Sequence, residues 1–166
     1  MKRPMIFPFI ALLMVGCISA PTQQAEERAA MVQGAVVHAC AANVAVIRFS
    51  DDAVLSSFSM SEETVAEMKG LLKQGRPSVY EPDFVSPPAP PLADIYLCIG
   101  DMKLNLESVW SESREASELE WLRKCDGEGR MAPQIVLPDA AYERFMALDA
   151  VQQARAALKC LENESR

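Results

Sequence analysis

Five cysteines, a single histidine and four clustered serines are the side chains of this sequence best suited to covalent chemistry. His38 can serve a nucleophile only if a serine or cysteine lies within hydrogen-bond reach of its ring. It sits in an Ala-, Val- and Cys-rich stretch, where a packed or interfacial imidazole is the commoner arrangement. Ser56, Ser57, Ser59 and Ser61 are grouped, yet neither a Gly-x-Ser-x-Gly elbow nor a Ser-x-x-Lys set surrounds them. Glu62, Glu63 and the carboxylates of residues 112–120 stand where helix starts favour negative charge. Asp51-Asp52 and the Asp126-Gly-Glu-Gly run do not follow a calcium-loop pattern. The seven glycines are scattered, and none forms a phosphate-cradling loop. No catalytic residue, metal ligand or cofactor is therefore assigned. The enzyme reading reduces to a small Ser or Cys hydrolase using His38.

Cys40, Cys98, Cys125 and Cys160 are far apart in the chain, without a Cys-x-x-Cys pair. That spacing does not suit zinc, whose ligands come in close pairs. In an oxidising compartment an even set of four reads as two disulfides. All three pairings stay open. The alternative is four buried thiols in a reducing compartment. Cys17 stands apart from this group.

Cys17 follows a leader. Lys2 and Arg3 are followed by an uncharged apolar run of 11 residues from Met5 to Val15. A bilayer span needs about 20 such residues, so this is the size of a signal-peptide core. The run Leu13-Met14-Val15-Gly16-Cys17 resembles the lipobox of bacterial lipoproteins. Met14 and Val15 stand where Leu and Ala or Ser are commoner, and they keep the apolar pattern. The resemblance covers the leader and Cys17 only. It implies removal of residues 1–16, diacylglyceryl transfer to the Cys17 sulfur and acylation of the new amino terminus. Ile18, rather than Asp, implies onward sorting to the outer membrane, facing the periplasm. The rival is ordinary cleavage after Ala20, which would leave Pro21 first. An uncleaved anchor is the third alternative.

The formal charge is −7, and losing Lys2 and Arg3 with the leader takes it to −9. An acidic body has little with which to neutralise phosphates, so nucleic acid is not an expected partner. Attachment to anionic lipid by charge is equally disfavoured, which leaves the lipid on Cys17 as the link to a membrane.

The rest of the chain suits one domain. Residues 17–23 read as lipidated terminus and tether, and 24–166 as the domain, with a connector over 77–91. A first helix is expected over 23–42, with Met31, Ala35, His38 and Ala42 on one face. A strand follows from Val44 to Phe49, then a return strand reaching Phe58 around Asp51-Asp52. Val65, Met68, Leu71 and Leu72 make the buried stripe of a second helix capped by Ser59 or Ser61, with Gly75 as its stop. Six prolines between 77 and 91 preclude helix and central strand. They could form a recognised polyproline segment, although a stiff surface connector is the commoner use.

Ile95–Ile99 and 102–106 alternate about Gly100-Asp101, the pattern of a type II′ hairpin. The register pairs Ile99 with Met102, Leu97 with Leu104 and Ile95 with Leu106. A charged helix over 112–125 is expected to turn Ala116, Leu119 and Leu122 inward. A short strand at 134–137 then precedes one long helix from Pro138 to Glu162. Trp110 and Trp121 suit either core packing or an interface. These elements predict an α+β domain, helices packed on one face of a small, mainly antiparallel sheet. An all-helical bundle is the alternative.

The expected function is that of a non-catalytic envelope lipoprotein acting through contacts with an envelope protein, in a structural, assembly or inhibitory role. A small-ligand-binding lipoprotein with a pocket between hairpin and helices is the second reading, and the hydrolase the third.

Overall fold

The computed structural model describes residues 20–78, 91–124 and 135–164, with backbone alone for 20–25, 121–124 and 164. In chain order the elements are α1 (Ala20–His38), β1 (Asn43–Arg48), β2 (Val54–Ser59), α2 (Glu62–Leu72), β3 (Ala93–Ile99), β4 (Met102–Asn105), β5 (Val109–Ser111), α3 (Glu112–Lys124), β6 (Ile135–Leu137), α4 (Asp139–Met146) and α5 (Asp149–Glu164). The fold is α+β. A four-stranded antiparallel sheet runs in the order β2-β1-β3-β4, and β5 pairs with β6 in a separate parallel ribbon. A helical bundle is excluded by that sheet. The leader with Cys17, most of the proline-rich stretch, Cys125 and residues 126–129 lie outside the described residues.

The β3–β4 hairpin shows why the sheet has one oily face. Leu97 sits opposite Leu104 and Ile99 opposite Met102, so these apolar groups share a side. Tyr96 and Cys98 fall on the other, opposite Asn105 and Lys103. Gly100 adopts φ +56 while Asp101 keeps a negative φ, the type II′ arrangement. Ile95 does not reach a strand partner at Leu106. There the chain enters a single 3-10 turn, Leu106–Ser108, in which the Asn105 side chain accepts the Glu107 N–H at 2.8 Å.

Between β1 and β2 a carboxylate does what glycine usually does. Asp52 takes the left-handed conformation at φ 55. Asp51 accepts from the Ala53 N–H at 3.2 Å and from Arg48 at 3.0 Å, closing the turn. A bulge opposite Val46 then shifts the register, leaving Ile47 facing Val54.

Val44, Val46, Ile95, Leu97, Ile99 and Leu104 form the sheet's contribution to the core. The helices cover this face: Val65, Met68, Leu71 and Leu72 from α2, Phe145 from α4, and Val151 and Ala154 from α5. The α2 stripe matches the sequence expectation in full. Ser61 caps that helix by accepting the Thr64 N–H at 3.2 Å, and Lys69 near its other end donates to the Ala39 carbonyl at 3.1 Å.

Four expectations need correction. In α1 the buried residues are Ala29, Val32 and Val36, while Met31 is 66% exposed and His38 is also exposed. The branched valines at four-residue spacing occupy the core, and the longer Met31 faces out. Among the described side chains of α3 the buried one is Glu115, while Ala116 is exposed. The single C-terminal helix is two, broken at Ala147 and Leu148. Asp149 opens α5, and Gln152 Nε2 donates to the Met146 carbonyl across the break at 2.5 Å. Finally, Gly75 has no positive φ, so it is not a left-handed helix stop. Its backbone passes so close to Ile135 and Leu137 that a β-carbon would collide with the Ile135 side chain.

Ile135 is fully enclosed and cannot simply move aside. Gly75→Ala is therefore expected to destabilise the domain by about 1–3 kcal/mol, measured by denaturant titration. An unchanged midpoint would show that β6 can yield.

Asp139 joins two helices. One carboxylate oxygen accepts the Ser113 N–H at 2.9 Å near the start of α3, and the other accepts the Ser113 hydroxyl. These bonds, the hydroxyl's first, hold the carboxyl below its usual value of 3.8. Its contribution is fully present above that value and is lost as pH falls through the lower native one. Asp139→Ala should be less stable than the parent at neutral pH, with the two denaturation curves converging in strong acid.

Candidate interaction surface

The sheet face turned away from the helices is unusually apolar at one corner. Strand pairing puts Ile47 opposite Val54 on one side and Asp94 on the other. The Phe49 N–H extends this pairing by donating to the Leu92 carbonyl at 3.2 Å. Phe49, Val54 and Leu92 thus share a face with Ile47, two residues apart along alternating strands. Their exposures are 54%, 59% and 53%, while Ile47 beneath them is only 3% exposed. Among the described residues only two other large apolar side chains stand out as exposed, Met31 and Val37 on α1. Three of five therefore converge on one corner, where single scattered residues would be ordinary.

Partial burial also marks the polar groups of this face. Desolvation pushes the Asp94 carboxyl up, although the Asn105 amide donates to it at 3.0 Å; the Glu107 charge raises it further. Tyr96 is raised by burial and by the Asp94 charge, against a lowering hydrogen bond from Asn105. Burial raises the Cys98 thiol too, opposed by Lys103. A thiol held above its ordinary value stays protonated at neutral pH and is a poor nucleophile.

The neighbouring edge of the sheet has no strand partner among the described residues. β2 is a terminal strand, and no described element pairs with its outer side. The Met60 N–H bonds to the Ala42 carbonyl at 3.0 Å, which sets the phase of the ladder. Ser57 and Ser59 consequently turn their backbone N–H and C=O groups away from β1. The strand Val-Leu-Ser-Ser-Phe-Ser carries no charge and no proline to blunt that edge.

Elsewhere the candidate groups do not converge. His38 lies exposed at the end of α1, without a hydrogen bond from its ring to a serine or cysteine. Cys40 is directed at the His38 carbonyl oxygen, not at its ring, at 3.7 Å. Ser57 accepts from Asn43, and Ser61 serves as a helix cap. Cys40, Cys98 and Cys160 are free thiols, so none of the expected bridges joins any two of them. Cys98 projects from the sheet's outward face, whereas Cys160 is exposed on α5. Among the described residues no group of three or more His, Cys, Asp or Glu is arranged to hold a metal ion. No described helix is long and apolar enough to cross a membrane. Trp110 is packed inside, its indole N–H donating to the Glu107 carbonyl at 2.8 Å, with Arg114 stacked over its ring. The Trp121 side chain lies outside the described residues.

A cleft of about 250 Å³ does open between the hairpin and the helices, lined by Asp94, Asn105, Glu107, Arg114, Tyr142 and Arg155 among others. It falls below the usual span of about 300–1,000 Å³ for small-molecule sites. Its polar groups largely satisfy one another, Asn105 with Asp94 and Arg114 with Glu107 at 3.6 Å.

The apolar corner was foreshadowed by one signal. Val44-Ala-Val-Ile is continuously apolar rather than alternating, which reads as a strand covered on both faces. Fold and surface together define a class: a small α+β domain whose sheet is covered by helices on one side and carries an apolar corner on the other. Compared with known proteins, the chain matches no family model, no curated sequence and no solved structure.

Proposed function

We propose that this chain is a lipid-anchored protein of the bacterial envelope that works by contact with another protein rather than by catalysis. The exposed Phe49–Val54–Leu92 corner is the observation that supports this reading. Apolar side chains grouped over a covered Ile47 form the kind of patch that marks interaction sites. The lipobox-like run ending at Cys17 supports the anchor. α1 begins at Ala20, three positions beyond that cysteine, rather than near residue 24. The first helix would then start at most about 10 Å from the lipid-bearing residue, close to the membrane.

A photo-crosslinking side chain placed at Phe49 or Leu92, in the full chain in its own envelope, tests the contact. A discrete adduct from both positions, absent when the probe replaces Lys159 on the exposed side of α5, is the expected result. Equal labelling from all three positions, or none from any, would contradict it.

A further inference from the structure

The edge of β2 has chemistry at its ends as well as along its length. Asp51 and Asp52 precede the strand, Glu62 and Glu63 follow it, and all four are exposed. Only Asp51 has a cationic partner, Arg48, among the described residues. Between these acidic ends lie nine uncharged residues, six of them in the strand, with the backbone groups of Ser57 and Ser59 directed outward. A second copy of this chain is a poor occupant. Antiparallel self-pairing would bring Asp51 and Asp52 beside the other copy's Glu62 and Glu63, and parallel pairing would set like beside like.

We propose that the free edge of β2 accepts an extended segment of a partner protein, uncharged where it pairs and cationic at both ends. The proposal rests on the contact reading and names the partner's chemistry. Main-chain bonds to Ser57 and Ser59 supply the pairing, as in strand addition generally. The flanking carboxylates select the partner's charge and set its register. Val54, at the start of the strand, joins this edge to the apolar corner.

The test uses the full chain and a synthetic peptide, Lys-Arg-Thr-Val-Thr-Val-Thr-Arg-Lys, followed by backbone amide NMR. Saturable shifts centred on Ser57 and Ser59 are expected, with affinity about tenfold above that of the same peptide carrying Glu at its ends. N-methylation of alternate peptide amides keeps the charge but removes the pairing, and it should abolish those shifts without altering the protein. Ser57→Pro removes an outward N–H while sparing the ladder to β1, so it should do the same. Equal binding of the N-methylated peptide, shifts centred elsewhere, or self-association in place of peptide binding would overturn the proposal. If the peptide fails while crosslinking at Phe49 and Leu92 persists, strand addition is wrong and the contact reading stands.

Discussion

Phe145→Ala is expected to cost the fold about 3–5 kcal/mol. Phe145 is fully enclosed on α4, in the cluster that joins α2, α5 and the sheet. Removing its ring withdraws transfer free energy and leaves a void that the rest of the cluster fills only in part. Domains of this kind are stable by about 5–15 kcal/mol, so the variant would stand near the edge of folding. Urea titration should show a lower midpoint at an unchanged slope. A shift below about 1 kcal/mol would mean that α4 is not part of the cooperative core.

Arg76→Ala comes next. Glu115 is only 3% exposed, and Arg76 reaches it at 2.7 Å while lying 3.8 Å from Glu112. Ser78 donates to the other Glu115 oxygen at 2.5 Å. Removing one partner of a fully buried pair costs about 3–5 kcal/mol, because the remaining charge loses its compensation. The Arg76 side chain is 44% exposed, and water shares part of its work. About 2–3 kcal/mol is the expected loss, read from thermal or urea unfolding. Arg76→Lys should rescue this only in part, since one ammonium cannot span Glu112, Glu115 and the Pro77 carbonyl as the guanidinium does. Adding Glu115→Leu to Arg76→Ala should recover some of the stability by removing the buried charge. A double variant weaker than both singles would contradict the pair's assigned role.

That pair was invisible in the sequence. An isolated reading of α3 favours Ala116 as the inward residue, because nothing local announces that Arg76 arrives from 39 positions away. The same limit applies to β5 and β6. Each is a strand of three residues, and their parallel pairing spans the chain between Val109 and Ile135. The break at Ala147 and Leu148 lacks glycine and proline. It depends on Leu148 being drawn into the core while Asp149 starts a new helix.

Where local chemistry and periodicity agreed, the fold was legible. The Gly100-Asp101 turn and the alternation around it led to the observed pairing of Ile99 with Met102 and Leu97 with Leu104. Ser61, its following carboxylates and four spaced apolar residues led to α2. Small residues blurred α1, since an Ala-rich helix offers several nearly equivalent faces until the valines are packed. The surface was legible only in part: the continuously apolar β1 signalled a second covered face, but not which residues would stand exposed on it.

Attachment through the Cys17 sulfur underlies every statement about where the contact is made. Intact mass spectrometry of the protein taken from its native membrane measures that attachment directly. The expected species begins at Cys17 and carries a diacylglyceryl group and an amide-linked acyl chain. A mass retaining residues 1–16, or one beginning at Pro21 without lipid, would contradict the account.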